Sequence, residues 1–355
     1  MDKRIEIFIA ACFYYSGLVK MARWWTRRSG QSLLVLNYHR AAGGDLQAHL
    51  LYLRHHYRVL HLETALEEIY TAHKSATQRG DRRTVLALTF DDGYHDNFTQ
   101  AFTLARDLHV PLTIFLIPGY IENRRRFWWM EIDQLVANAK MREATVEGHT
   151  YHLNKSDERK SLAQAIDTLI RHSASVMERE ASLACSREML AGSSTTTSEE
   201  DLAFPLTWEE VHIMEKSGWI SFGAHTMHHP VLACLTDSAE MQYEISKCRR
   251  VLQQQLGHSV RVFAYPFGLW EHIGEEAMRA VREAGYDWGV SAIYGFNTRQ
   301  TDPYLIRRIE VDVDQHWITV AAKASGIWGL FARLCRLGCL SRKSVISQKN
   351  SGLTG

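Results

Sequence analysis

The sequence predicts an α/β fold in which parallel strands close into a barrel. Two short runs, 86–90 and 111–117, are apolar or β-prone and carry no helical punctuation, so each is typical of a buried strand. The segment between them, 98–108, has the apolar spacing of a helix. A strand, a helix and a second strand in succession form the unit from which parallel sheets and barrels are built.

Composition and charge are those of a globular protein. Of the 355 residues, 46% are hydrophobic and 23% are charged, and the formal net charge is +1. Nucleic-acid binding is therefore not predicted, because it needs a concentrated positive charge. The cysteines form no Cys-x-x-Cys pair, which argues against a zinc ribbon or a disulfide framework and is typical of a reducing compartment. They are Cys12, Cys185, Cys234, Cys248, Cys335 and Cys339.

Residues 1–30 predict an amphipathic helix. The apolar run 7–19 is too short to span a bilayer, and no convincing cleavage site follows it. Aromatic residues alternate with basic ones up to residue 28, so the helix either lies on a membrane surface or packs against the barrel. This pattern predicts a protein that is cytoplasmic or peripherally bound to a membrane.

Two of the predicted strands end on residues with functional side chains. The strand at 33–38 ends on His39, which by itself fits a core or loop histidine. The strand at 86–90 ends on Asp91 and Asp92, followed by Gly93. Adjacent carboxylates at the end of a buried strand are costly unless a cation or hydrogen bonds compensate. The doublet therefore indicates either a metal or catalytic site, or a solvated turn.

The middle of the chain predicts an insertion. Residues 131–205 contain helical stretches and a low-complexity linker at 192–201, and we expect no functional chemistry there. Just before them, Trp128 and Trp129 follow a basic run, so they either stack on a sugar or anchor the next helix in the core.

A histidine pair strengthens the case for a metal site. His225 and His229 are four residues apart, so one helical turn would place both imidazoles on one face. Two imidazoles and one carboxylate would leave open positions on a divalent ion, as catalytic sites require.

The rest of the chain continues the strand–helix alternation. Helices are predicted at 238–256 and 275–284, and strands at 260–265, 286–291 and 306–311. The apolar stretch 327–340 predicts either a second membrane-surface element or a loosely docked helix, and 348–355 predicts disorder.

Three motifs together resemble those of a known family. Thr89-Phe-Asp-Asp-Gly93, His225-Thr-Met-His-His229-Pro230 and Phe263-Ala-Tyr-Pro-Phe-Gly268 look like the motifs of the polysaccharide deacetylases, the NodB-like enzymes of carbohydrate esterase family four. The resemblance extends over roughly 33–313. It implies a distorted (β/α) barrel with a helical insertion and a site at the strand ends. We assign 31–318 to the barrel, and 319–355 to a C-terminal helix and tail.

The resemblance also implies residue roles. Asp92, His225 and His229 would hold a divalent metal, expected to be zinc. Asp91 would act as the general base, and the backbone N–H of Phe267 would stabilise the oxyanion.

The sequence departs from the usual family pattern in two places. The C-terminal Leu-x-His-Asp motif, whose His is the general acid, is missing, but Leu36-Asn-Tyr-His39 stands at the other end of the chain. A circular permutation would explain this and make His39 the acid, as in members that act on poly-N-acetylglucosamine. Ala264 stands where the family has an Arg that orients the base, and Arg308 is the candidate replacement.

One further family motif has a weak match. Asp287-Trp288 resembles the family's Asp-Trp pair, in which Asp tunes the His and Trp lines the acetyl pocket.

The leading hypothesis is a metal-dependent hydrolase that removes N-acetyl groups from an exopolysaccharide or cell-wall glycan and releases acetate. The expected partners are the N-acetylated glycan and a membrane surface. Two alternatives remain: a deformylase or O-deacetylase of a lipid-linked sugar, and a non-catalytic glycan-binding barrel.

Overall fold

The computed structural model describes residues 2–28, 32–71, 81, 83–190 and 204–335. The predicted linker at 192–201 and the predicted disordered tail at 348–355 lie outside these ranges.

The described residues form eleven strands. In chain order they are β1 (Ser32–Tyr38), β2 (Arg58–Leu60), β3 (Val85–Phe90), β4 (Leu112–Leu116), β5 (Glu143–Val146), β6 (His149–His152), β7 (Ile220–Ala224), β8 (Val262–Ala264), β9 (Trp288–Tyr294), β10 (Asn297–Thr298) and β11 (Ile306–Glu310).

The α-helices of the described residues number fourteen. They are α1 (Lys3–Tyr15), α2 (Leu18–Arg28), α3 (Leu46–His56), α4 (Leu62–Tyr70), α5 (Thr103–Leu108), α6 (Pro118–Asn123), α7 (Trp128–Asn138), α8 (Ser156–Arg171), α9 (Val176–Leu190), α10 (Trp208–Lys216), α11 (Ser238–Leu256), α12 (Trp270–Glu283), α13 (Trp317–Ser325) and α14 (Ile327–Cys335). A π-helix, Asn97–Phe102, leads directly into α5.

Seven parallel strands close into a barrel within the described part of the chain. Their order is β1, β3, β4, β7, β8, β9 and β11, and β1 completes the circle by pairing with both β3 and β11. Short β2 adds to β3 in parallel, and β10 pairs with β1 antiparallel. The predicted parallel α/β barrel is therefore confirmed.

The barrel strands are buried on both faces, which explains their almost continuous apolar sequences. Along β1, Leu33 and Val35 belong to the interior cluster, whereas Leu34 and Leu36 pack under the surrounding helices. Helix α4 contributes Leu66 to the interior cluster. It follows β2, which pairs with the first half of β3, so it closes the end of the barrel opposite the Asp91–Asp92 turn.

The insertion has an apolar cluster of its own. Helices α7, α8 and α9 pack around Trp128, Ile132 and Leu162, so Trp128 is a core anchor. The insertion is mainly helical, as predicted, and it also contains a hairpin formed by β5 and β6. Its two turn residues, Glu147 and Gly148, have φ values of 49° and 80°, as a tight hairpin turn requires.

The terminal helices pack against one another and on the barrel. Ala10 of α1 and Val19 of α2 are fully buried in the main core, and Phe13 contacts the rings of Trp328 and Phe331 on α14. No single helix among the described residues has both the length and the apolar character to cross a bilayer. The bent pairs α1–α2 and α13–α14 reach that length and composition only jointly, with bends of 67° and 81°.

The closure of the barrel by α4 predicts a stability effect. Leu66→Ala should lower the free energy of unfolding by about 2–5 kcal/mol, because Leu66 is fully buried in the interior cluster and its truncation leaves a cavity. The matched change Leu51→Ala on α3 removes a side chain that is 46% exposed and should cost under about 0.5 kcal/mol. Urea unfolding of both variants measures the difference; equal effects would contradict the assigned packing of α4.

Candidate metal centre and active site

The Asp-Asp turn at the end of β3 has an unusual backbone. Asp92 has φ 72° and Gly93 has φ 70°. A Cβ atom at Gly93 would lie 2.7 Å from Leu116 Cδ2, so a larger residue would require Leu116 to shift and would also be strained by the positive φ. Asp92 has a left-handed backbone conformation that residues other than glycine rarely adopt. Such strained conformations are typical of functional sites. Both carboxylates consequently reach the same cavity at the end of the barrel.

Three buried side chains of the described residues converge as a candidate metal site. The Asp92 Oδ1 atom lies 3.5 Å from His225 Nε2 and 3.6 Å from His229 Nε2. These separations are close to the roughly 3.4 Å expected between two ligands of a tetrahedral zinc ion. His225 Nδ1 is 2.7 Å from the Ala264 carbonyl, so it donates a hydrogen bond that leaves Nε2 unprotonated and free to bind a metal.

The Asp92 carboxylate also passes a second test for a metal ligand. Its Oδ1 atom is buried and has no hydrogen-bond partner among the described residues, which is costly without a cation. Burial raises the pKa of Asp92 and holds the pKa of His229 well below its usual range. Neutral imidazoles and a carboxylate are the donors that zinc prefers, so these residues fit a divalent ion.

The histidine pair does not lie on a helix, so that part of the sequence argument is wrong. Residues 225–230 form a loop after β7. Thr226 and His229 have φ values of 65° and 58°, and the Thr226 hydroxyl accepts a hydrogen bond from the His229 N–H at 2.9 Å. This compact loop brings the two imidazole centroids to 4.8 Å. The third histidine, His228, instead hydrogen-bonds Glu244 at 2.6 Å.

Asp91 is held by a buried arginine. Arg308 Nη1 and Nη2 donate to the two Asp91 carboxylate oxygens at 2.7 and 2.8 Å, and the Asn37 side-chain amide donates to Oδ2 at 3.0 Å. Arg308 is itself positioned by hydrogen bonds to the Ser291 carbonyl and the Asn37 side-chain oxygen. Arg308 thus contacts Asp91, whereas the arginine of the usual family pattern is replaced by Ala264 in this sequence.

The ion pair determines the charge state of Asp91. Burial alone would raise the pKa of Asp91, but the charge of Arg308, helped by that of His225 and by the Arg308 hydrogen bonds, lowers it to about 2. Asp91 is consequently ionised at neutral pH and available to accept a proton.

His39 lines the same cavity, at the end of β1. Its backbone is fixed by the residues after the Asp-Asp turn: Asn97 donates to the His39 carbonyl at 3.2 Å, and buried Asp96 accepts from Arg40 and from the Ala42 N–H. Sequence reasoning missed Asp96 and Asn97, although two polar residues starting a helix beside a suspected site were a usable signal.

The cavity has a volume of about 370 Å³ and reaches residues from most of the barrel strands. Phe267 has φ 59°, and its ring packs 5.0 Å from the His229 ring. The hydrogen bonds found among the described residues leave the Phe267 N–H without an acceptor. A Cβ atom at Gly268 would lie 2.6 Å from the Ala292 nitrogen, so glycine is needed for this turn.

Two aromatic residues form a further wall. The Trp129 indole packs 4.6 Å from His229, and its Nε1 donates to the Tyr94 hydroxyl at 2.7 Å. Tyr94 lines the same cavity as the Asp92 carboxylate. Trp129 is therefore a cavity residue, whereas its neighbour Trp128 lies in the core.

Two expectations about the surroundings of the site are wrong. The insertion does contribute to the cavity, because Arg171 at the end of α8 lines it and stacks 4.4 Å from the Phe267 ring. Asp287 and Trp288 do not line the cavity. Asp287, just before β9, pairs with Arg261, and Trp288 packs in the barrel interior.

The sequence profile described as polysaccharide deacetylase matches residues 78–181 and 187–289, more than half of the chain. The chain belongs to the polysaccharide deacetylase family. The matched segments include the Asp-Asp turn and the histidine loop, whereas His39 and Arg308 lie outside them.

The chain is similar to a curated protein in sequence and to solved structures in fold. YxkH of Bacillus subtilis (strain 168), named as a polysaccharide deacetylase, is 28% identical over 106 residues, which are 30% of this chain and 36% of that protein. The match thus spans about a third of YxkH. The Streptococcus pyogenes deacetylase PplD in complex with acetate is 16% identical, with a TM-score of 0.53 over 82% of this chain and 98% of that chain. IcaB from Ammonifex degensii is 19% identical, with a TM-score of 0.52 over 83% and 98%.

The geometry predicts which histidines hold a divalent metal ion, with zinc used as the probe. After zinc loading and desalting, the protein should retain about one ion per chain, and His229→Gln should retain almost none, because the site loses one of three ligands. The matched control is His228→Gln, in the same loop but bonded to Glu244. Metal analysis by mass spectrometry decides: equal loss from both variants would contradict the assigned ligands.

The buried ion pair predicts a stability effect in metal-free protein. Arg308→Met should cost about 3–5 kcal/mol, because it leaves the Asp91 carboxylate buried without a cation, and adding Asp91→Asn should restore part of the loss. Arg279→Met, in an exposed pair with Glu276, should cost under about 1 kcal/mol.

The same pair has a definite pH dependence. A carboxyl whose pKa is lowered on folding adds stability above its unfolded pKa and loses it as the pH falls through its folded pKa. The gap between wild type and Arg308→Met, measured by urea unfolding, should therefore shrink as the pH falls from about 5 to about 2. A gap that widens in acid would refute the assignment.

Proposed function

We propose that this protein is a metal-dependent hydrolase that removes N-acetyl groups from an N-acetylated polysaccharide and releases acetate. One observation carries the proposal. A single cavity gathers a buried Asp92, His225 and His229 trio and an ionised Asp91 held by Arg308. A divalent cation site beside a fixed carboxylate base is the equipment that amide hydrolysis needs.

Zinc is the proposed ion, because two imidazoles and one carboxylate form a typical catalytic zinc set with an open position. When bound, zinc would lower the pKa of a water molecule and polarise the acyl oxygen. Asp92, His225 and His229 would hold it.

The proton transfers are assigned to two side chains. Asp91 accepts a proton from the attacking water as its oxygen bonds to the acyl carbon. His39 donates a proton to the sugar nitrogen as the carbon–nitrogen bond breaks, so that acetate and a free amine leave. Arg308 holds Asp91 in place and keeps it ionised, so Arg308 is a positioning residue.

Phe267 is the proposed oxyanion donor. Its left-handed backbone and the turn at Gly268 leave an N–H without an acceptor at the cavity wall. A pre-positioned backbone donor stabilises the charge that develops on the acyl oxygen.

The position of β1 supports the proposed circular permutation. β1 comes first among the barrel strands, yet it lies between the last strand, β11, and the Asp-Asp strand, β3. A strand that followed β11 in the chain could fill the same place, so the barrel can bring His39 to the site from either terminus.

A second candidate is removal of a formyl or O-acetyl group from a lipid-linked sugar. The observation that favours it is a larger cavity next to the catalytic one, walled by α14, which could hold a group attached to the sugar. A non-catalytic glycan-binding role would be supported if no acyl group were released despite bound zinc.

Acetate release from N-acetylglucosamine oligomers tests the proposal. We expect chelator-sensitive release, lowered about 10²–10⁴-fold in kcat by Asp91→Asn and by His39→Gln, since each removes one proton-transfer group. The control His55→Gln changes an exposed histidine on α3 and should leave the rate unchanged.

The assay includes formylated and O-acetylated sugars in parallel. Release of formate or O-linked acetate alone would favour the second candidate. Near-normal acetate release by His39→Gln with zinc bound would rule out His39 as the acid.

A further inference from the structure

Three terminal helices expose apolar side chains at helical spacing. These side chains are 51–77% exposed, whereas the apolar face of a surface helix usually packs on the core. They are Ile5, Phe8 and Tyr15 on α1, Met21, Trp24 and Trp25 on α2, and Leu330 and Leu334 on α14. We call these eight residues the terminal apolar surface.

The three stripes lie on adjoining helices. Helix α1 packs against α2 and α13, and its Phe13 ring lies 5.4 Å from the Phe331 ring of α14. The inner faces are already occupied, because Ala10 and Val19 are buried in the main core. The outward stripes are therefore additional to the packing that holds the helices on the barrel. Exposed apolar side chains clustered in this way usually mark a binding surface.

Charge along the chain favours an anionic partner for this surface. The three helices that carry this surface, α1, α2 and α14, contain seven Lys and Arg and one acidic residue, Glu6, although the whole chain has a net charge of only +1. Within α2, Lys20 and Arg28 flank the tryptophans, and the Arg28 guanidinium lies 4.4 Å from the Trp24 ring. Tryptophan beside basic residues is typical of helices that lie in a lipid headgroup region.

The terminal apolar surface also adjoins a cavity next to the catalytic one. A second cavity of about 760 Å³ shares Ala292, Arg308 and Glu310 with the catalytic cavity. Helix α14 forms one of its walls, and Arg333 of that wall is next to Leu334 in the stripe. Helix α14 thus presents one face to the second cavity and a neighbouring face to the terminal apolar surface.

We propose that the terminal apolar surface docks on an anionic lipid bilayer and thereby holds the second cavity, beside α14, at the membrane. A second copy of the chain is a poorer occupant, because two such surfaces would bring like charges together. A bilayer with acidic headgroups accepts both the aromatic side chains and the basic residues around them.

Vesicle flotation of the full chain tests the docking. We expect binding to vesicles of phosphatidylglycerol and phosphatidylcholine, and at least roughly tenfold weaker binding to phosphatidylcholine alone or in high salt. Trp24→Ser/Trp25→Ser and Leu330→Ser/Leu334→Ser should each weaken binding to the anionic vesicles about tenfold or more. The matched control is Met177→Ser on α9, where an 81% exposed apolar residue lies outside the surface.

The outcomes separate the possible occupants. Loss of binding in the two double variants, with Met177→Ser unaffected and thermal unfolding unchanged, supports docking. No binding of the wild type to anionic vesicles overturns it. A dimer in sedimentation experiments that both double variants dissociate, without vesicle binding, would assign the surface to a second copy instead.

A consequence for the substrate rests on the proposed function: the glycan would be presented at the membrane. On an N-acetylglucosaminyl lipid in anionic vesicles, Trp24→Ser/Trp25→Ser should lower kcat/KM about tenfold, while its activity on a soluble oligomer stays unchanged. Equal activities of variant and wild type on the vesicles would overturn membrane presentation. Absence of wild-type activity on both substrates would instead count against the proposed function, and the flotation result would stand.

Discussion

The structure of the site depends on neutralising two adjacent buried carboxylates. Asp91 and Asp92 end the same strand and lie almost entirely out of solvent. Arg308 neutralises Asp91 through two hydrogen bonds, whereas no lysine or arginine of the described residues pairs with Asp92, which faces two imidazoles. The two neighbours therefore have different environments. One is a carboxylate fixed in its ionised form, and the other is a ligand with an oxygen left open for a cation.

This arrangement exists only because the barrel closes. Asp91 directly follows β3, whereas Asn37 lies on β1 and Arg308 lies on β11, and these three strands are adjacent where the sheet meets itself. Asn37 donates to Asp91 and accepts from Arg308, so the middle strand links the other two. The same strand ends on His39. An open sheet with these strands in chain order would leave Arg308 far from Asp91.

Segments outside the barrel shape what can reach this centre. The insertion brings Arg171 and the start of α7 brings Trp129 to one side of the cavity, and α14 forms a wall of the larger, second cavity next to it. Four residues around the cavity, Asp92, Thr226, His229 and Phe267, have left-handed backbones. Strained conformations concentrated at one place are maintained by surrounding structure, and here the barrel rim and its loops provide that support.

The sequence by itself determined the parallel barrel and the family, and it proposed a set of site residues that the structure brings to one cavity. It could do so because strand patterns and the Asp91–Asp92 and His225–His229 spacings are local features of the chain. It failed where conformation or distance along the chain mattered. The histidine loop is not a helix, Asp287 pairs with Arg261 and does not line the cavity, and Asp96, Asn97 and Arg171 were missed. Arg308 was only one of several arginines that could have replaced the missing one. Its contact with Asp91 spans 217 residues. Only closure of the barrel sets such a contact, because no local pattern encodes which strands become neighbours.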